Sequence, residues 1–484
     1  MKSIVLAAAL IGAATAHAAA QQTVPIRELG ATEAKSVANF GLIMGLRHIS
    51  ANNNVLVNDG ARRQLVMLDA SLSHATVVID SAAGAGSYGP RGTPLIPFLG
   101  DSSLFLDPNS LSILVLDGSG KVARVMSAPR PGDLRFMLAS SSAVDDKGRL
   151  VYRGVQTFTG GPVGDAKKAD GKAVDGGRGA APPGAPGGMN ITIPQQPDSA
   201  PILRADFETR QVDTIGRVKV ASGTRGSATQ GSDGKMHMKM VINPLSTLDE
   251  WAVMTDGSIA FVRGHDYHVD LVHSDGSVMS AEKLPFDWKR LTDEDKQKLI
   301  DSARTAQDEG MRKAMADAKN GTAAGANADK VAAEMAGAKA AMAGGGGGAV
   351  MFTRVEVGPG GGGAGAAPVM IGGPNGAPLM PEIDFVPLNE IADYYPPIRS
   401  GAAKADMDGN LWILPTTSAQ SKAGELVYDV VDNKGNLTER VRLPVGRSIA
   451  GFGKGGIVYL MSGDRTNGFY LERARVIGGK RATQ

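Results

Sequence analysis

The sequence predicts an all-β fold, a six-bladed β-propeller, and three observations carry that expectation. A small polar turn leading into an apolar run recurs six times, as NNNVLVND (52–59), GDSSLFLD (100–107), DKGRLVYRG (146–154), TDGSIAFVRG (255–264), MDGNLWILP (407–415) and KGGIVYLMSG (454–463). Each copy precedes a second β-rich run that usually ends in an acidic turn: RRQLVMLDAS, LSILVLDGSG, PILRADFETR, YHVDLVHSDG, LVYDVVDNKG and FYLERARV. The first apolar residues, Val55, Leu104, Leu150, Ile259, Leu411 and Ile457, lie 49, 46, 109, 152 and 46 residues apart. Three of those gaps agree on the size of one four-stranded blade, and such units repeat radially to protect their sheet edges.

Bulk properties fit one large domain. At 484 residues and 42% hydrophobic content the chain can bury a sizeable core. With 51 basic and 49 acidic residues it carries a formal charge of +2, which gives no electrostatic case for nucleic acid. The first residues read as an export signal, 1–20. Lys2 supplies the charge, Ile4 to Ala14 the apolar stretch, and Ala16-His17-Ala18 or Ala18-Ala19-Ala20 the small-residue cleavage site. No other run approaches the 18 or so apolar residues of a membrane span, so no integral membrane segment is expected after cleavage. The chain has no cysteine, which excludes a lipidated cysteine anchor and disulfides. A bacterial periplasmic or secreted protein is expected, with residues 21–484 as a single propeller.

Within a blade the strands run A to D from axis to rim. Strand A precedes the polar turn (GLRHIS, FMLASS, EWAVM, AAKADM), and strands B and C are the two recurring runs. Strand D follows the acidic turn, as in KVARVMSAP (121–129), QVDTIGRV (211–218), SVMSAEKLP (277–285) and LTERVRLP (437–444). The A–B and C–D connections carry NNN, DKG, TDG, MDG, DGSG, SDG and NKG, which suit tight hairpins. The last run has no strand D after it, and TVPIRELG (23–30) can supply one, closing the ring between the chain ends.

Three insertions account for the long gaps. Residues 155–200 have a Gly/Pro/Ala/Lys composition that predicts disorder. A moderate insertion covers 221–244. The third, 287–400, opens with LTDEDKQKLIDSARTAQDEGMRKAMADAKNG, which reads as a helix capped by Thr292 with Asp295 three residues on. It continues as Ala/Gly-rich linker around VMFTRVEVG, which can form an isolated strand. All three fall in B–C or D–A connections. In an up-and-down blade those connections emerge on one face, which makes that loop-rich face the expected site of binding.

DMDGNLWIL, TDGSIAFVRG, VLDGSG and VVDNKG resemble the blades of NHL-repeat and gluconolactonase/regucalcin-like propellers. The chain is similar above all to exported bacterial six-bladed propeller proteins of the TolB-like type. For the enzymes of that group the resemblance implies a metal, held by acidic or His residues around the central channel. A metal-dependent hydrolase or lyase of the gluconolactonase or streptogramin-lyase type is therefore the alternative function.

The residues themselves hold no G-x-S-x-G elbow, P-loop or H-E-x-x-H helix. HDYHVDLVH supplies His265, His268, Asp270 and His273, read as ordinary loop and strand residues. His268 and Asp270 share a strand face while His273 points the other way near the opposite turn, which leaves only His265 and His268 able to pair. MHMKM (236–240) reads as a Met-rich strand edge packed on the propeller rim. The B-strand ends offer Asp59, Asp107, Arg153 and Arg263, with His265 beside the last. Strand A adds Arg47, His48, Lys404 and Asp406 near the axis. Charges of both signs around a channel suit an anionic or zwitterionic ligand, and Asp59 with Asp107 could hold Ca²⁺. The expected function is a monomeric, exported, non-catalytic module binding a small polar ligand, a peptide or an envelope protein through its loop-rich face, with no cofactor required.

Overall fold

The computed structural model describes residues 24–477 except 83–86, 90–91, 108–109, 138–141, 155–189, 194–196, 222–224, 231–235, 320–370, 373–377, 380–381, 417–424 and 465. The expected signal (1–20) and the VMFTRVEVG strand lie outside the described residues.

Six four-stranded antiparallel sheets form the blades. From axis to rim, blade one holds Ile43–His48, Val55–Asp59, Gln64–Leu68 and Ala75–Ile79. Blade two holds Leu95–Pro97, Ser103–Asp107, Ser112–Leu116 and Val122–Ser127. Blade three holds Ser142–Val144, Leu150–Arg153, Ser199–Ala205 and Val212–Lys219. Blade four holds Glu250–Val253, Ile259–Arg263, His268–Val272 and Val278–Ser280. Blade five holds Ala403–Ala405, Leu411–Ile413, Leu426–Val431 and Leu437–Leu443. Blade six holds Ser448–Phe452, Ile457–Asp464 and Gly468–Arg475, with Ala34–Lys35 as its outer strand.

The B strands are apolar without a break because both of their faces are buried. Val55 and Val57 pack toward blade six, while Leu56 between them packs toward blade two. Leu411 and Ile413 face blade four, and Trp412 faces blade six. The same alternation in the other blades yields six separate cores, one per blade interface.

The chain ends close the ring as expected, and within 23–30 Leu29 bridges Val476 antiparallel and Gly30 N donates to Arg475 O at 2.7 Å, but the outer strand of blade six lies just beyond. Ala34–Lys35 pairs antiparallel with the third strand of blade six, opposite Arg473 and Glu472. Ile26–Glu28, inside the expected 23–30, instead pairs in parallel with Leu437–Leu443 as a fifth strand of blade five. Arg27 and Glu439 form an ion pair there, and Arg442 reaches Glu28 at 2.7 Å. The N-terminal segment thus staples two neighbouring blades. Blade three also departs from expectation, since its inner strand is Ser142–Val144 rather than FMLASS. Pro131–Asp133 and Leu134–Met137 coil into a helical turn that places Leu134 and Met137 in the core between blades two and three.

The insertions meet in one extra sheet. Its order is Asn190–Ile193, Arg225–Gln230, Met236–Ile242 and Glu382–Phe385, so each of the three insertions contributes at least one strand. Residues 190–193 are therefore ordered, correcting the expectation of disorder across all of 155–200. MHMKM lies in a central strand of this sheet, hydrogen-bonded on both sides, rather than at a propeller rim. The expected helix spans Asp293–Lys319. Its capping box forms as read: Thr292 Oγ1 accepts from Asp295 N at 3.2 Å, and Asp295 Oδ2 accepts from Thr292 N at 3.0 Å. Leu299, Ile300 and Ala303 close a seventh core with Leu245, Leu291, Phe385, Val386 and Ile391. Among the described residues no helix is long and apolar enough to cross a membrane.

Candidate functional site

The two ends of the propeller are built differently. At one end every A–B turn touches a neighbouring blade. Asp101 of blade two accepts hydrogen bonds from Ser50 N (2.7 Å) and Ala51 N (2.9 Å) of blade one. Asp408 of blade five accepts from Gly455 N (2.9 Å) and Gly456 N (2.6 Å) of blade six. Leu99 lies against Gly148, Asp146 against Gly257, Thr255 against Gly409, and His48 against Gly453. A closed ring of contacts therefore ties this end, where the loops are short.

The other end carries the three insertions, and five of the nine candidate residues lie there. Asp59 is buried, and its carboxylate accepts from Gly41 N (2.8 Å), Leu42 N (3.1 Å) and Arg62 N (3.2 Å). It fixes the chain entering blade one. Asp107 accepts from Ser110 Oγ at 2.5 Å. Arg153 ends strand B of blade three, half-buried. Arg263 bonds Asp270 through Nε (2.7 Å) and Asp249 through Nη1 (3.0 Å), and lies over the Phe261 ring. Asp249 in turn accepts from Gly264 N and Lys219 N, joining blades three and four. His265 is exposed beside this cluster.

His268 sits between two carboxylates, Asp266 at 2.7 Å and Asp270 at 3.2 Å. Burial raises both carboxyl pKa values, but hydrogen bonds outweigh it and hold both below the usual range. The donors are His268 and Lys283 for Asp266, and Ser280 and Arg263 for Asp270. His273 is separate, at the tied end, where it meets Ser258 Oγ at 3.0 Å. Among the described residues no three His, Cys, Asp or Glu side chains converge as metal ligands would.

The other four candidates are not part of this face. Arg47 and His48 end strand A of blade one, at the tied end. Arg47 donates to the Gly100 carbonyl, and His48 Nδ1 meets Tyr459 Oη at 3.0 Å. Burial lowers the pKa of both. Asp406 holds its own turn, accepting from Asp408 N and Asn410 N and, through Oδ2, from Trp412 Nε1 at 2.9 Å. Lys404 lies mid-strand on the innermost strand of blade five. Burial lowers its pKa, and Glu250 of blade four opposes that shift.

The structure adds groups that the sequence did not single out. Between blade four and the extra layer the chain crosses outward at 286–291 and returns at 391–398. The crossings are bonded by Leu291 N to Asp393 O (2.8 Å) and Tyr395 N to Lys289 O (3.0 Å). They present Trp288 and Tyr394, 42% and 45% exposed, with ring centroids 6.4 Å apart at 88°. No periodicity marks these residues, because they lie in irregular segments more than a hundred positions apart.

A scan of protein-family models and a search of curated proteins found no match to this chain. Solved structures resembling it include a regucalcin, a calcium-binding protein from Agrobacterium tumefaciens, at 10% identity and TM-score 0.30, covering 94% of this chain and 98% of that one. A virginiamycin B lyase from Staphylococcus aureus is similar at 8% identity and TM-score 0.30, covering 95% and 97%. An exported-protein candidate from Bacteroides fragilis is similar at 11% identity and TM-score 0.37, covering 93% and 94%. Likeness at this level carries no activity to this chain; its own strand pairing makes it a six-bladed β-propeller.

Proposed function

We propose that this protein is an exported, non-catalytic binding module that engages its ligand or partner through the insertion-bearing face. The observation that carries the reading is the convergence of three insertions, from two D–A connections and one B–C connection, into one sheet with its own core. Such a layer costs chain entropy and adds nothing to closure of the ring, which the terminal segment and the six blade interfaces already provide. The tied end, trimmed to tight turns, offers a partner much less added surface.

A photo-crosslinking residue placed at His265, or at Lys434 on the tied face, tests this in the full-length protein exposed to envelope extract. Adducts from position 265 and none from 434 are the expected result; the reverse pattern sinks the reading. The rival reading, a metal-dependent hydrolase or lyase centred on the channel, predicts stoichiometric Ca²⁺ or Zn²⁺ in the purified protein, lost when Asp59 and Asp107 are both changed to Asn.

A further inference from the structure

We propose that Trp288 and Tyr394 form a stacking platform for a neutral saccharide chain. This rests on the binding face argued above and names the class of its ligand.

The rings are exposed yet held rigidly. Phe286 meets the Trp288 indole at 5.0 Å and 85°, and Tyr267 meets Phe286 at 5.5 Å and 66°. Tyr267 is fully buried, with its hydroxyl donating to Asp429 at 2.6 Å across the interface of blades four and five. The ladder therefore has its root in a propeller core. Tyr394 is fixed by the paired crossings, and the adjacent Asp393 is held by Lys296 Nζ at 2.7 Å. A platform fixed before its ligand arrives loses little further freedom on binding.

The surroundings select the chemistry. The other two tryptophans, Trp251 and Trp412, are buried, so exposure at Trp288 is specific to this place. Two near-perpendicular aromatic rings are flanked by exposed Asp287, Lys289, Arg290 and Asp393, the last paired with Lys296, which makes two acidic and three basic groups with little net charge. That balance favours neither a polyanion nor a polycation. An extended peptide would seek unpaired backbone, and beside the two rings the crossings already bond each other, Leu291 N to Asp393 O and Tyr395 N to Lys289 O. A pyranose ring suits what remains. Its flat C–H face stacks on an aromatic ring, and its hydroxyls reach polar side chains at the rim.

The test is calorimetric titration of the full-length protein with chitotetraose, cellotetraose and galactotetraose, followed in parallel by tryptophan fluorescence. At least one probe should bind. Trp288→Ala and Tyr394→Ala should each weaken it about tenfold or more, the effect of losing one stacked ring. Trp288→Phe should restore most of the affinity, and Lys434→Ala, on the tied face, should leave it unchanged. Circular dichroism checks that each variant is folded. The proposal is overturned if none of the probes binds at millimolar concentration, or if folded Trp288→Ala and Tyr394→Ala bind as the parent does. If the saccharides fail while crosslinks from position 265 persist, only the ligand class falls; if both fail, the face falls with it.

Discussion

Gly257 and Gly276 close equivalent Asp-Gly hairpins in blade four, with φ of 79° and 87°. Both need the left-handed backbone that costs an L-residue about 1–2 kcal/mol. Their surroundings differ. A methyl at Gly257 would lie 2.1 Å from an Asp146 carboxylate oxygen of blade three, whereas nothing lies within 4 Å of Gly276. Gly276→Ala should therefore cost the backbone term alone, and Gly257→Ala measurably more, with urea midpoints as the readout. Equal costs would show that the turn ring is slack. Asp406 supports packing as well as its own turn. It stands in a polar turn, yet its carboxylate is the partner of the buried Trp412 indole. Asp406→Ala should cost about 3 kcal/mol, since it orphans a buried donor and frees the turn amides.

Blade four shows how an element acquires pH dependence. Asp266 and Asp270 hold His268 between them, and Asp270 also accepts from Arg263 and Ser280 Oγ. Both carboxyls titrate below their usual range, so their stabilisation is present above the unfolded carboxylate pKa of about 3.9 and is lost as pH falls through the lower folded values. Buried Asp429 runs the other way. Burial raises its pKa despite Tyr267 and Arg440, so its contribution favours the fold at low pH and fades as pH rises. Hydrogen exchange should show strand His268–Val272 losing protection below about pH 4, and His268→Gln should flatten that change. An unaltered profile in His268→Gln would remove the clamp from the account. The clamp's residues were visible in HDYHVDLVH, but its partners Lys283 and Ser280 come from the next strand and its connection. Strand pairing alone brings them together.

For the whole molecule, the N-terminal segment decides closure. Ser36 Oγ accepts from Leu471 N at 3.0 Å, Leu29 is buried, and Ile26–Glu28 extends blade five. Removing residues 21–36 should expose the edge of Gly468–Arg475, lower stability by about 3 kcal/mol or more, and promote aggregation visible by light scattering. A truncated protein as stable and monodisperse as the parent would mean that the ring closes through side-chain packing alone.

The sequence by itself determined the number of blades, the hairpin turns and the places where extra chain leaves the propeller. Those features are local: a B strand buried on both faces must be apolar throughout, and a left-handed turn position calls for Gly. Only the tertiary structure decided that the three insertions build one sheet, that Arg47, His48 and Asp406 lie at the opposite end from Asp59 and Arg263, and that Trp288 meets Tyr394. Each of these joins residues far apart along the chain, and strand direction and packing, which no local pattern encodes, set which of them meet.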